Sequence, residues 1–316
     1  MLTDVSKALG RSFFLGAFLP ALVLIANAVI MIELAIEGTP ITDRIGIGVM
    51  VTLCLAGAFF IATVFLSLNI YIVRFYEGYP VSGWRFLKKR LQSQRDQIYQ
   101  EIARIKEELN KQLNQQGSYE ANLRLNRLQQ EADERYPPPP AEVLPSSLGN
   151  IIRAFEHYPF TRYSIEPIAV WPRLLAVVPE SLIEAINTQK SLMDFWLNLS
   201  LVCLVSGLFW AVVVVWYVYL SSLFVVPVLV VSILLAYLSY RGAIPCAVAW
   251  GYEVRTAFDL YRSDLLQRLG IQKPSSISDE RNAWQKVFWF FRYEDYAKRR
   301  GLPSSDSSGR TEDKAS

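Results

Sequence analysis

His157 is the only histidine in the chain, so any chemistry that needs an imidazole must pass through one position. Zinc held by two or more histidines is excluded, and a Ser-His or Cys-His pair would have to be built on that ring. Arg153, Glu156, Arg162 and Arg173 stand near it in sequence. On a helix, Arg153 and His157 lie one turn apart, as do Gly149 and Arg153, so one polar face would present positive charge while Glu156 neutralises part of it. Such a cluster suits an anionic headgroup or a phosphate. Salt bridges inside a compact subdomain beside the membrane are the plainer account of the same residues.

Other catalytic signatures are missing. The sequence holds no H-E-x-x-H, no Walker A loop, no G-x-G-x-x-G and no G-x-S-x-G. Glu33 and Glu37 lie one helical turn apart, a spacing that carboxylate-only chemistry could use, but the acidity of a short loop accounts for them. The three cysteines, Cys54, Cys203 and Cys246, fall in or at the edge of apolar runs, where a thiol is usually a small packing residue. Neither a disulfide framework nor metal spacing is present. The expectation is a protein that is not an enzyme and has no cofactor and no metal.

The elements that must position these residues are dominated by apolar runs; 52% of the chain is hydrophobic. Ser12 to Leu34 is about 23 residues, enough at ~1.5 Å per residue to cross a ~30 Å hydrocarbon core. After the turn EGTPITDR, Ile45 to Val73 carries no formal charge. Phe195 to Pro245 has no charge until Arg241 and is too long for one crossing and right for two. Tyr217, Tyr219, Ser221 and Ser222 mark its turn, with Trp216 and the tyrosines at headgroup depth. The fold class expected is an all-α membrane protein with four transmembrane helices as two hairpins and a cytoplasmic helical hairpin or coiled-coil insert between them.

Orientation follows from Lys and Arg in short flanks, which resist translocation. Lys7 and Arg11 precede the first span; the loop after it holds Glu33, Glu37 and Asp43 against Arg44. Arg74, Arg85, Lys88, Lys89 and Arg90 follow the second span, and Arg241, Arg255 and Arg262 follow the fourth. Both termini and the insert are therefore expected in the cytoplasm. Ala26-Asn27-Ala28 has the small-residue look of a signal-peptidase site, but the apolar run continues to Leu34 and favours an uncleaved anchor.

Within the spans, an ionisable residue at mid-depth would mark an ion or proton path, and none is found there. The polar positions are Asn27, Asn69 and Asn198, with Asp194 four residues before Asn198 at the entrance to the third span. Asparagine bonds across helices, and small residues such as Gly57, Ala58 and Ala62 permit close approach, so helix packing is the plainer account. Amides lining a pore between copies of the chain is the sharper one.

The insert divides in two. From Trp84 to Arg135, Leu91, Ile98, Ile102, Ile105 and Leu109 mark a helical seam, a Gln-Gln-Gly-Ser at 115–118 breaks it, and Leu123, Leu125, Leu128 and Ala132 resume it. Pro137 to Pro140 predict a polyproline II spacer. Beyond them, a helix opens at Pro145-Ser146-Ser147 and stops at Pro159, Tyr163 to Val170 reads as a short strand interrupted by Pro167, and WPRLLAVV is too short to span. The string LGNIIRAFEHYPFTRYSIEPIAVWPRL, Leu148 to Leu174, resembles a segment of uncharacterised bacterial four-helix integral membrane proteins of similar layout. That resemblance covers under a tenth of the chain; it implies a bacterial origin and brings no activity with it.

After the fourth span, Trp250, Val254, Phe258, Tyr261, Leu265 and Leu269 continue at helical spacing to Gly270. A further stretch rich in aromatics and bases suits an interfacial helix, with Trp284 and Trp289 in the headgroup boundary and Lys286, Arg292, Lys298, Arg299 and Arg300 near anionic lipid. The divisions are then 1–73 and 195–245 for the transmembrane hairpins, 74–136 for the helical hairpin, 137–194 for the Pro-punctuated juxtamembrane part, 246–302 for cytoplasmic and interfacial helices, and 303–316 for a disordered tail. The function expected is that of an inner-membrane interaction or scaffold protein acting through its cytoplasmic helices, with an oligomeric ion channel gated by the insert as the alternative. The partners are the lipid bilayer and either a second copy of the chain or a cytoplasmic protein. Nucleic acid is not among them, because acids and bases nearly balance in the insert.

Overall fold

The computed structural model describes residues 10, 12–35, 45–81, 85–111, 118–217 and 225–300. Lys7, Arg11, the turn Glu37 to Arg44, Trp84, the break at 115–117, the turn at Tyr219 to Ser222 and the tail lie outside them, as do the side chains of Leu109, Lys298, Arg299 and Arg300. Among the described residues the chain is helical and no strand forms. A π-helical turn, Phe14–Phe18, leads into α1 (Leu19–Ala35). There follow α2 (Ile47–Glu77), a 3-10 turn (Tyr79–Val81), α3 (Arg85–Lys111), α4 (Ser118–Arg135), α5 (Ser147–Tyr163), α6 (Pro167–Leu174), α7 (Glu180–Tyr217), α8 (Val225–Arg268) and α9 (Ile277–Arg300).

Four stretches among the described residues are long and apolar enough to cross a membrane: Phe14–Glu33, Ile47–Glu77, Glu180–Val215 and Val225–Arg268. Their outward faces carry Ile30, Leu53, Phe60, Leu208 and Val230, all exposed, which is costly against water and favourable against lipid.

Helix ends follow local chemistry. α2 stops at Gly78, whose φ of 91° is left-handed and whose N–H closes on the carbonyls of Arg74 and Phe75, a position a side chain would strain. The Ser146 hydroxyl accepts the Gly149 N–H at 2.9 Å and caps α5. α6 begins on Pro167, which has no N–H to leave unpaired. At α9, the Ser276 hydroxyl accepts the Asp279 N–H at 3.1 Å and donates to its carboxylate at 2.7 Å; that bond and the one from Ser275 hold the Asp279 carboxyl below the usual range.

The chain divides into two compact units, Met1–Ala154 with Ser181–Glu253, and Phe155–Glu180 with Val254–Ser316. In the first, α1 packs on α2 and α3 on α4. The α3 and α4 contacts run antiparallel, with Arg124 to Glu101 at 2.7 Å and Tyr136 to Gln94 at 3.4 Å. Ile102, Ile105 and Ala132 are buried there as the seam predicts, while Leu123 is exposed. Between α7 and α8 the backbones come close: a Cβ on Gly207 would stand 2.3 Å from Ser232 Cβ, and one on Gly242 would stand 2.8 Å from the Trp196 ring. The second unit has its own core of Ile165, Val170, Leu174, Phe258, Leu266 and Trp284.

Several sequence expectations are corrected. α5 runs through Pro159 to Tyr163 instead of stopping at it. The expected strand at Tyr163 to Val170 is a helix end, with Ser164 at φ 58°, followed by α6. The helix that carries the third apolar run begins well before Phe195: α7 starts at Glu180, directly after Pro179, and its acidic first turn suits the helix dipole. α8 continues past 245 to Arg268 with Pro245 within it, as the helical spacing up to Gly270 predicts. Pro137 to Pro140 do not form an extended spacer, because the Ala141 N–H turns back to the Pro138 carbonyl at 3.0 Å.

Candidate functional site: a polar cluster at one end of the apolar helices

Two of the four polar positions singled out in the spans meet, and a third follows one turn along the same helix. The Asn69 amide on α2 donates to Asp194 Oδ2 on α7 at 3.1 Å, and Lys190, one turn earlier, donates to the same oxygen at 2.7 Å. One turn later, Asn198 donates to the Gly16 carbonyl at 2.8 Å. Gly16 lies in the π-helical turn, a distortion that often accompanies function. It lies close to α7: a Cβ at Gly16 would sit 3.4 Å from the Ser191 carbonyl and 3.5 Å from Asp194 Cβ, in ordinary van der Waals contact. The cluster lies where apolar character begins and ends: Asp194 directly precedes the uncharged run of α7, and Asn69 comes shortly before Arg74 on α2.

The Asp194 side chain is 12% exposed and that of Lys190 36%, so the pair is partly desolvated and screened on the lysine side. Asn198 is 2% exposed. Asp194 Oδ1 and Asn198 Oδ1 are both buried without a hydrogen-bond partner among the described residues, although both are strong acceptors. The arrangement therefore offers acceptor capacity to a donor or a small cation at the mouth of the apolar helices. Two residues further along α7, Ser200 donates to the Ala236 carbonyl of α8 at 2.8 Å and accepts from the Tyr76 hydroxyl of α2 at 2.9 Å. Tyr76 also stacks on Tyr240 at 6.0 Å.

Asn27 stands apart from the cluster. Its side-chain oxygen accepts from Trp210 Nε1 at 3.3 Å, beside a cavity of about 410 Å³ that Ser206 and Ser232 also line. The charged group around His157 is divided: Arg153 belongs to the first unit and donates to the Glu142 carbonyl at 2.8 Å. In the second unit, Arg173 bonds the Ala169 carbonyl at 2.6 Å and lies over the Phe291 ring at 3.9 Å. The Arg162 carbonyl accepts from Arg281 at 3.0 Å; Glu156 is exposed and His157 half-buried.

Trp284 is corrected: at 1% exposure it is a core residue of the second unit, not a headgroup aromatic. Lys286, Trp289 and Arg292 are exposed on the same helix. The same unit holds a network that the sequence did not reveal. Asp259 accepts from Tyr158 at 2.9 Å and Tyr163 at 2.7 Å, and Arg262 bonds Glu280 at 2.8 Å. Burial, then the Asp259 carboxylate, pushes both tyrosine hydroxyls above their ordinary pKa. The signal for it was an acid and a base three apart on a helix, a pattern common on solvated faces.

No protein-family model matches the chain, and neither a curated protein nor a solved structure matches it.

Proposed function

We propose that this chain is a multi-pass protein of a bacterial inner membrane, with both termini and the α3–α4 pair in the cytoplasm, acting as a non-enzymatic interaction protein through those cytoplasmic helices. One observation carries the reading: on α4, Tyr119 and Leu123, one turn apart, are 71% and 40% exposed on a helix pair whose other exposed residues, Phe86 apart, are mostly charged or polar. Apolar side chains at this spacing are what a partner helix takes as anchors. Orientation is supported by the bases after α2, and the bacterial setting by the likeness of Leu148 to Leu174. The test is a Tyr119→Ser, Leu123→Ser double variant in detergent or nanodiscs, compared with the parent by light scattering and by copurification from the native membrane. Loss of self-association or of a copurifying protein, with the four helices still inserted, is expected. Unchanged assembly and copurification would remove the reading.

A second reading is an oligomeric channel gated by the cytoplasmic helices, and the unpartnered oxygens of Asp194 and Asn198 favour it. Purified protein that forms a ring and passes ions in liposomes would establish it over the first; a dimer or monomer without conductance would dismiss it.

A further inference from the structure

A cleft of about 700 Å³ in the first unit lies between α8, the α3–α4 pair and the start of α5, a size that suits a small ligand or a lipid headgroup with its glycerol. Its α8 wall runs from Tyr237 to Tyr252, about 22 Å at ~1.5 Å per residue. Tyr237 lies in the uncharged stretch of α8, and Arg241 is the first charge after it. Beyond Arg241 the wall stays apolar through Ile244 and Val248. An apolar floor therefore continues past the point where charge begins, as an amphiphile at the membrane surface requires.

The charge on the cleft is positive. Arg241 is exposed and makes no ion pair among the described residues. Arg135 lines the opposite wall and meets Glu131 at 3.2 Å across exposed surface, a pairing worth little in water. The one carboxylate on the rim, Glu134, is occupied by the hydroxyl of Tyr252 and the Gln130 amide.

We propose that this cleft binds an anionic phospholipid of the surrounding bilayer, its phosphate on Arg241, its headgroup directed toward Arg135 and its acyl chains leaving past Tyr237. This rests on the reading that α8 crosses a membrane, so insertion is measured separately, by resistance to alkaline extraction. Arginine suits the role because its fork donates two parallel bonds to phosphate oxygens.

The experiment uses the full chain in nanodiscs of phosphatidylcholine with phosphatidylglycerol, followed by native mass spectrometry of retained lipid. The parent should hold phosphatidylglycerol in preference to phosphatidylcholine. Arg241→Gln and Arg135→Gln should each weaken that preference about fivefold, the loss expected for one base beside an anionic surface. Arg74→Gln, on an exposed arginine that does not line the cleft, should leave it unchanged. Equal retention of the two lipids by the parent, or equal losses from all three variants, would overturn the proposal. If the cleft variants fail to fold, the competition between lipids on the parent decides alone.

Discussion

The Tyr76 hydroxyl donates to Ser200 Oγ at 2.9 Å, and Ser200 in turn donates its own hydroxyl to the Ala236 carbonyl at 2.8 Å, so one serine ties α2 and α7 to α8. Bonds of this kind between helices in lipid average ~0.6 kcal/mol and reach ~1.7. A double-mutant cycle of Tyr76→Phe and Ser200→Ala, read by reversible unfolding in mixed micelles, should return a coupling in that range. Strict additivity would show that the hydroxyls do not cooperate.

Asp194 has two donors on one oxygen, Lys190 and Asn69. Asp194→Ala should cost about 1–3 kcal/mol, the penalty for stranding buried donors, and less on the lysine side because Lys190 reaches solvent. Asp194→Asn should retain the Asn69 contact, by its side-chain oxygen, and lose the ion pair. The check is thermal unfolding of both variants beside Lys190→Ala. A Lys190→Ala, Asp194→Ala double variant less stable than the sum of its parts would contradict the pairing.

Close helix approach makes an ordered series of glycine variants. A Cβ on Gly149 would lie 2.4 Å from the Glu77 carbonyl oxygen, and backbone cannot swing aside, so Gly149→Ala should lose well over 1–3 kcal/mol, the usual range for overpacking. Gly242→Ala meets a ring that can tilt and should cost less. Gly48→Ala meets nothing within 4 Å and should be neutral. Expression and melting temperature should rise from Gly149→Ala through Gly242→Ala to Gly48→Ala, and a damaging Gly48→Ala would mean that α2 packs on something further.

The second unit carries an alkaline limit. Tyr158 and Tyr163 have folded-state pKa values raised above the ordinary tyrosine value, by burial first and then by Asp259. A raised pKa means that the stabilisation is complete below the unfolded value, near ~10, and is lost as pH climbs from there toward the folded value. Unfolding midpoints should be flat from neutral pH to about 9 as far as these groups are concerned and fall above it. Tyr158→Phe should shallow that alkaline fall, and the same slope in parent and variant would discount the pair.

How much of this was legible in the sequence differs by residue type. The four apolar helices follow from uncharged length, and the α3–α4 seam from spacing, because burial needs only composition and period. Their ends did not follow: Glu180 to Asp194 looks like a charged connection, yet its acids and Lys190 sit comfortably on one helix whose later turns are apolar. Pro159 reads as a terminator, but a helix that is already packed, with Ile151, Ile152 and Phe155 buried, can absorb one missing bond. Trp284 misled because an aromatic stripe on a basic helix looks the same whether it meets lipid or protein. Asp194 and Asn198 were legible as polar residues one turn apart on one helix; that Asn69 meets Asp194 was hidden by the distance along the chain.

That distance has a consequence in time. Asn69 and Asp194 are 125 positions apart, and chains grow at roughly 5–20 residues per second. For about 6 to 25 s during synthesis, the first two apolar helices exist while the partner of their asparagine has yet to be made. The early pair must therefore hold together on its own small-residue contacts, or in the care of the insertion machinery, until α7 arrives to complete it.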